Sequence, residues 1–224
     1  LLNDQAVVSL LYEYDFWDAI NIKDVKLIIA RLNSIKYPII QCSEFYDDIG
    51  VPFVSIDHEK AAFEATSYLL ETGFEKIFYV QTYGDFIFDK LRLAGYKRAL
   101  AKFGRPFDER LIIKTDFNYS GGINAAKQIL KSKIKKAGIF TVSDMIAISM
   151  VNYLNYKNVK IPENYSVIGF DDIELCNATY PGITTIHQPR IKIGKEARKH
   201  LLKTCNYDDN LKAYENIIKK VLDE

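Results

Sequence analysis

The sequence predicts an α/β fold, with a mostly parallel sheet flanked by helices on both faces. Two observations carry this. From residue 51 onward, short apolar runs alternate with stretches of helical periodicity, and alternation at this spacing builds βαβ units. In addition, the uncharged run Val167-Ile168-Gly169-Phe170 ends abruptly in two adjacent carboxylates, Asp171 and Asp172. That is the pattern of a buried parallel strand whose carboxyl end opens on solvent. In open α/β sheets, ligands bind at the carboxyl ends of strands.

The elements follow in order. Residues 51–56 read as a short strand. Residues 59–72 have helical periodicity, with Ala62, Ala65, Tyr68 and Leu69 on one face and Gly73 as the closing C-cap. Residues 76–81 are a buried strand, and 91–103 a helix closed by Gly104. A short strand over 111–114 precedes a helix over 122–131, with Ser120 as its N-cap. Residues 137–142 are a strand and 144–156 a helix; 167–170 is the next strand and 193–204 another helix. Residues 211–222 fit either a helix or a last edge strand. Before residue 51, segments 26–30 and 38–42 read as strands with a helix-like link between them, and 6–12 as strand or helix. The aromatic cluster Tyr12, Tyr14, Phe16 and Trp17 reads as core or surface, with ligand contact as the alternative.

Bulk properties exclude several classes. The chain has 224 residues, 48% of them apolar, enough for one large domain or two small lobes. A net charge of +1 leaves no electrostatic footprint for nucleic acid, and the lysines at 131, 133, 135 and 136 read as a solvated helix end. Cys42, Cys176 and Cys205 are far apart and odd in number, so neither a disulfide framework nor a CxxC pattern is present. Reduced thiols in the cytoplasm are the expectation. No apolar run approaches the ~20 residues of a membrane span. His58, His187 and His200 lack metal-ligand spacing, and there is no GxSxG elbow, P-loop or GxGxxG. Asp171 and Asp172 have no nucleophile or metal partner, so neither an enzyme nor a cofactor is expected.

Several motifs occur together in a recognisable order. Val167-Ile168-Gly169-Phe170-Asp171-Asp172 is preceded by Ile161-Pro162-Glu163-Asn164-Tyr165-Ser166 and followed by Pro181-Gly182-Ile183-Thr184-Thr185-Ile186-His187-Gln188-Pro189. Upstream lie Val51-Pro52-Phe53-Val54-Ser55-Ile56-Asp57, Leu70-Glu71-Thr72-Gly73-Phe74-Glu75-Lys76-Ile77, Arg92-Leu93-Ala94-Gly95-Tyr96 and Ser143-Asp144-Met145-Ile146-Ala147. Over residues 26–204 the sequence resembles the effector-binding domain of the lactose-repressor (LacI/GalR) family of transcriptional regulators. The resemblance implies a two-lobed, type I periplasmic-binding-protein-like fold with a small effector, expected to be a sugar, in the cleft between lobes. It also implies a homodimer that meets DNA only through an N-terminal helix-turn-helix, and no membrane association. On this mapping residues 1–56 and 188–214 form the N-terminal lobe, and 57–187 with 215–224 the C-terminal lobe. Two departures from the family pattern stand out: the sequence shows no helix-turn-helix, and the N-terminal lobe is expected to lack an opening strand, helix or strand–helix pair. A lobe so reduced is expected to seek a partner through its exposed edge.

The resemblance marks five effector-binding candidates, each with a competing structural reading. Arg92 presents a fork of five donors suited to hydroxyls or an anion; otherwise it is a surface arginine. Asp171 is its natural complement, or else a helix N-cap, while Asp172 is read as the cap or a contact between lobes. Ser143 stands where the family commonly has an asparagine, so its contact is lost or carried by water. Asp144 is read as an N-cap. Phe117 falls where relatives place an aromatic against the ligand, or is ordinary core. Asp57 ends the crossover strand and touches ligand or hinge. Tyr83, Phe86 and Phe88, placed in a loop before the Arg92 helix, are ligand contacts, a lid or a subunit contact. The leading function is effector sensing and dimerisation in a transcriptional regulator. A solute-binding protein of a sugar transport system shares the fold, and a phosphoprotein partner is a third reading.

Overall fold

Which apolar faces the helices present, and where the strands end, determines the architecture. The computed structural model describes residues 22–34, 39–42, 48, 50–84 and 86–204. The readings for residues 6–12, for the cluster at Tyr12 to Trp17, for Cys205 and for 211–222 lie outside these. The chain divides into two units, Leu1–Ser55 with Pro189–Glu224, and Ile56–Gln188.

The first unit begins with helix α1 (Ile22–Ser34) and two short strands, β1 (Gln41–Cys42) and β2 (Phe53–Val54), paired in parallel with Gln41 opposite Phe53. Residues 26–30, expected as a strand, lie inside α1. Five apolar-rich residues do not distinguish helix from strand by periodicity, and Leu27 and Ile28 are exposed here. The strand expected over 51–56 shortens to Phe53–Val54. Buried Gln41 anchors the pair, its side-chain amide donating to the Val51 carbonyl at 3.1 Å.

The second unit is a three-layer α/β/α arrangement. Its elements are α2 (His58–Glu71), β3 (Ile77–Thr82), α3 (Ile87–Lys102), β4 (Ile112–Thr115), α4 (Tyr119–Lys131), β5 (Ala137–Thr141), α5 (Asp144–Tyr156), β6 (Tyr165–Asp171) and β7 (Thr184–His187). The five strands form one wholly parallel sheet in the order β4-β3-β5-β6-β7. Strand alternation splits the core between the two faces. Ile77, Tyr79, Phe140, Ile168 and Phe170 pack with Ala62, Leu69, Tyr96 and Ala99 of α2 and α3. Phe78, Val80, Ile139 and Val167 pack with Ala125, Ile129, Ile146 and Met150 of α4 and α5. Gly95 permits the closest approach of two helices: a Cβ there would collide with the Glu59 carbonyl of α2.

Three boundaries differ from expectation. Helix α3 starts at Ile87, so Phe86 is its N-cap residue and Phe88 lies in its first turn rather than in a loop. Phe86 offers no side-chain cap, which removes the usual sequence signal for a helix start. Helix α4 is capped by Asn118 and not Ser120; the Asn118 Oδ1 accepts from the Gly121 N–H at 2.9 Å and from the Ser120 hydroxyl at 2.8 Å. Strand β7 follows β6 through a 3₁₀ turn (Glu174–Ala178), where most parallel connections use a helix. The first unit then resumes with α6 (Arg190–Thr204), whose buried Ile193, Ala197 and Leu201 share one face, and which packs on β1 and β2.

Candidate functional site

All five strands of the second unit run the same way, so their carboxyl ends share one edge. From β3 the chain goes out to β4, and from β5 it goes on to β6 and β7, so the topological switch point lies between β3 and β5. A crevice at that position is where open α/β sheets bind ligands.

Arg92 spans the switch point. It projects from α3 and is buried, its Nη1 donating to the Val142 carbonyl just beyond β5. Its Nη2 lies 3.3 Å from His58 Nδ1, which fixes that ring nitrogen as the acceptor because a guanidinium only donates. The guanidinium carbon sits 3.4 Å from the centroid of the Phe170 ring and 4.7 Å from that of Phe88. Arg92 is therefore not a surface arginine. His58, buried at the start of α2, had no signal in the sequence beyond its failure to form a metal spacing.

The β3–α3 corner also buries Asp89, which the sequence reading did not single out. Its Oδ1 accepts from the Tyr79 hydroxyl, and its Oδ2 from the Thr82 N–H and Thr82 hydroxyl, both at 2.9 Å. Burial raises the Asp89 carboxyl above its ordinary range, against the lowering effect of these donors and of Arg92. Burial, then the nearby Asp89 charge, pushes the Tyr79 phenol well up. Beside Asp89 a cavity of about 180 Å³ opens between Gln81, Tyr83, Phe86, Lys90 and Lys114.

The β6–β7 corner is built around two more buried carboxylates, Asp171 and Asp144. Asp171 ends β6, is 5% exposed and has φ of 119°; Asp172 follows with φ of 55°. Positive φ is uncommon for residues other than glycine, though aspartate is enriched among the exceptions. Gln188, just beyond β7, donates its Nε2 to Asp171 Oδ1 at 2.6 Å. Neither aspartate is a helix cap: the 3₁₀ turn that follows has Ile173 at its N-cap position. Asp172 instead meets His187 Nδ1 at 2.7 Å.

Asp144 locks this corner to α5. It is fully buried, its Oδ1 accepting from the Thr185 hydroxyl at 2.5 Å and its Oδ2 from the Ile173 N–H at 2.9 Å. Burial raises the Asp144 carboxyl, partly offset by these donors. Burial, then the bond to Asp144, pushes the Cys176 thiol up to about 12. Gly169 is required by this packing, since a Cβ would collide with Asp144 Oδ1. The cap of α5 is Ser143, whose Oγ accepts from the Ile146 N–H at 3.4 Å; Asp144 is the first helical residue instead.

The remaining candidates spread along the same unit. Phe117 follows β4, half-buried, with its ring 6.4 Å from that of Phe88, and packs on the α4–α5 side of the core. Asp57 is exposed and caps α2, its Oδ1 accepting from the Lys60 N–H at 2.8 Å. Arg92, Ser143, Phe117 and Asp171 thus follow the carboxyl ends of β3, β5, β4 and β6, whereas Asp57 begins a helix. Among the described residues no group of three His, Cys, Asp or Glu side chains gathers as metal ligands, and no helix is long and apolar enough to cross a membrane.

Residues 66–220 match the family model of the periplasmic binding protein-like domain. The chain is 35% identical over 165 residues to the HTH-type transcriptional repressor CytR of Escherichia coli K12, covering 74% of this chain and 48% of CytR. It thus spans about half the length of the curated relatives it matches. Among solved structures it is similar to the transcription regulator CcpA of Lactococcus lactis, with a TM-score of 0.74 and 26% identity over 80% of this chain and 65% of that one. It is also similar to a sugar-binding transcriptional regulator of the LacI family from Escherichia coli, solved with phosphate. There the TM-score is 0.69 and the identity 26%, over 84% of this chain and 68% of that one.

Proposed function

Because the chain belongs to the periplasmic binding protein-like domain family, and is homologous to the effector-binding part of LacI-type repressors, we propose that it senses a small ligand, a sugar, on behalf of a transcriptional regulator. The observation that carries the proposal is Asp171: a buried carboxylate at the carboxyl end of a parallel strand, held in an uncommon backbone conformation. Strain of that kind concentrates at ligand clamps and switch regions. A similar regulator is itself described as sugar-binding.

In this reading Asp171 accepts ligand hydroxyls, Phe117 offers an aromatic face to the apolar side of the ring, and Ser143 supplies a hydroxyl. Arg92 contributes N–H groups from α3, and Asp57 acts through the start of α2. Signalling is a shift between arrangements: ligand stabilises one over another, and a homodimer passes that bias to DNA through a helix-turn-helix domain. The sensor role involves no catalysis, and the proposal places the protein in the cytoplasm with no membrane partner.

Calorimetric titration of the purified protein with a panel of neutral sugars tests this. At least one should bind, and Asp171→Ala should weaken it by about 10- to 100-fold, the value of a buried charge-assisted hydrogen bond. Unchanged affinity in Asp171→Ala would move the site away from this edge.

A further inference from the structure

We propose that the outward face of α6 is a docking surface for an acidic segment of a partner protein. The proposal stands apart from the ligand-sensing reading, because α6 belongs to the first unit and not to the five-stranded sheet.

Helix α6 concentrates charge of one sign. Its 15 residues carry Arg190, Lys192, Lys195, Arg198, Lys199 and Lys203 against one acid, Glu196, a net of +5 where the whole chain carries +1. All six basic residues are exposed. Lys192, Lys195, Lys199 and Lys203 recur at the three- and four-residue spacing that holds one face of a helix. At a rise of 1.5 Å per residue they form a row about 16 Å long. Ile193, Ala197 and Leu201 occupy the opposite face and are buried, and the helix packs on β1 and β2.

A helix face built only for solvation is arranged differently. Opposite charges four residues apart support a helix, and like charges there weaken it; Lys195, Lys199 and Lys203 are successive like pairs. Acidic residues suit the first turn, where the helix dipole is positive. Helix α6 has none there, and has Arg190 and Lys192 instead. Lys199 meets Glu196 at 3.6 Å, an exposed pair that offsets little of the row. The arrangement weakens the helix locally and raises a positive potential, which steers a partner of opposite charge.

Three features select a protein over other polyanions. Ile191 is 77% exposed and Leu202 54%, and both lie along one flank of the lysine row. Aliphatic side chains gain from burial against apolar protein surface and gain nothing from a phosphate backbone. Glu196 stands beside the row and would oppose an unbroken line of phosphates. A bilayer does not fit, because a surface helix enters lipid with its apolar face, and that face of α6 is already buried. The partner that fits carries carboxylates along about three turns of helix, with aliphatic side chains beside them.

The test uses the purified chain and a fluorescein-labelled amphipathic peptide with Glu at three- and four-residue spacing and Leu beside each Glu. Anisotropy is read at about 50 and about 150 mM salt, against a peptide of scrambled order and a duplex DNA. The amphipathic peptide should bind at least about tenfold tighter than the scrambled one, and less tightly at the higher salt. Reversing the row, with Lys192, Lys195, Lys199 and Lys203 all changed to Glu, should cut affinity at least about tenfold. The same reversal at Lys131, Lys133, Lys135 and Lys136, exposed lysines of the second unit, should cost less than about twofold. Equal losses from the two reversals would reduce the effect to net charge and overturn the proposal. So would tighter binding of the duplex, or no preference for the amphipathic over the scrambled peptide. Carbodiimide coupling of the peptide's carboxylates to wild type needs no variant, so it stands even if the reversed chain misfolds. Mass spectrometry should place the links on the four α6 lysines; links chiefly at residues 131–136 would overturn the proposal.

Discussion

The β3–α3 corner and the β6–β7 corner lie on one edge of the same sheet, and both bury carboxylates. At the first, Asp89 draws three hydrogen bonds from Tyr79 and Thr82, with ordinary backbone around it. At the second, Asp144 is likewise supplied by Thr185 and Ile173, but it supports a turn in which two successive aspartates have positive φ. That turn leads on to the amide oxygen of Gln188, which has no protein donor. At the first corner the Asp89 carboxylate is supplied with donors on both oxygens. The second holds strain of about 1–3 kcal/mol per unusual residue, and it holds bonding capacity in reserve. Two corners of one sheet edge can thus use the same chemistry to different degrees of completion.

Removing the carboxylate at the first corner should have the largest effect. Asp89→Ala leaves the Thr82 N–H and the Tyr79 hydroxyl buried without an acceptor, and should lower the unfolding free energy by about 3–5 kcal/mol. Urea denaturation measures this; a loss below about 1 kcal/mol would show that the corner relaxes. Gly169→Ala at the other corner should cost less, about 1–3 kcal/mol, because the new methyl meets a side-chain oxygen rather than backbone. It should also weaken sugar binding, since displacing Asp144 disturbs Thr185 and Ile173. Unaltered sugar affinity at reduced stability would separate the lock from the site.

The pH dependence is a subtler comparison. Burial raises both Asp89 and Asp144 in the folded protein relative to the unfolded chain. In the window between the unfolded and the raised folded value, the native state holds the extra proton. Their contribution to stability is therefore fully present below the ordinary carboxylate range and is lost as pH rises through the raised folded values. Asp108 acts in the opposite sense: its bonds to Arg110 lower it to about 2, so its contribution falls away as pH drops toward that value. Wild type minus Asp144→Asn should thus show a stability difference that declines on raising the pH from the acid side toward neutrality. A difference that instead grows with pH would reverse the assignment. The smallest effect belongs to the exposed Asp172–His187 pair. His187→Gln should alter the melting free energy by less than about 1 kcal/mol, as differential scanning calorimetry can check.

The sequence made the sheet visible where it was most buried. Apolar runs at β3, β5 and β6 admit only one reading when flanked by helical periodicity, and α5 is found at Asp144–Tyr156 as expected. Strand β7 escaped because Thr184-Thr185-Ile186-His187 lies at the edge, partly exposed, with no apolar run. The segment at 26–30 misled because its apolar residues fit two periodicities and two of them remain on the surface. At the site, Asp171 was legible as charge at the end of an apolar strand. Asp89 was not, because a carboxylate in the first turn of a helix ordinarily faces solvent. Its acceptors are used by Tyr79 and Thr82, which are distant enough in sequence that only folding brings them together. Gln188 appeared only as part of a motif; its significance lies in an oxygen that pattern cannot show to be unpaired.

The strand order has one further consequence, for the time course of folding. Strand β3 pairs with β5, setting Ile77 against Gly138. The central pair of the sheet therefore cannot form until β4 and the helices on either side of it have been synthesised. Helices α2 and α3, joined through β3 and pressed together at Gly95, can meet early through local contacts. Zipping of the sheet must wait for the loop between β3 and β5 to close, and long-range parallel pairing of this sort slows folding. Arg92 forms its bond to Val142 across that same seam. Its guanidinium can settle only once β5 has docked, so the residue spanning the switch point records the joining of β5 to β3.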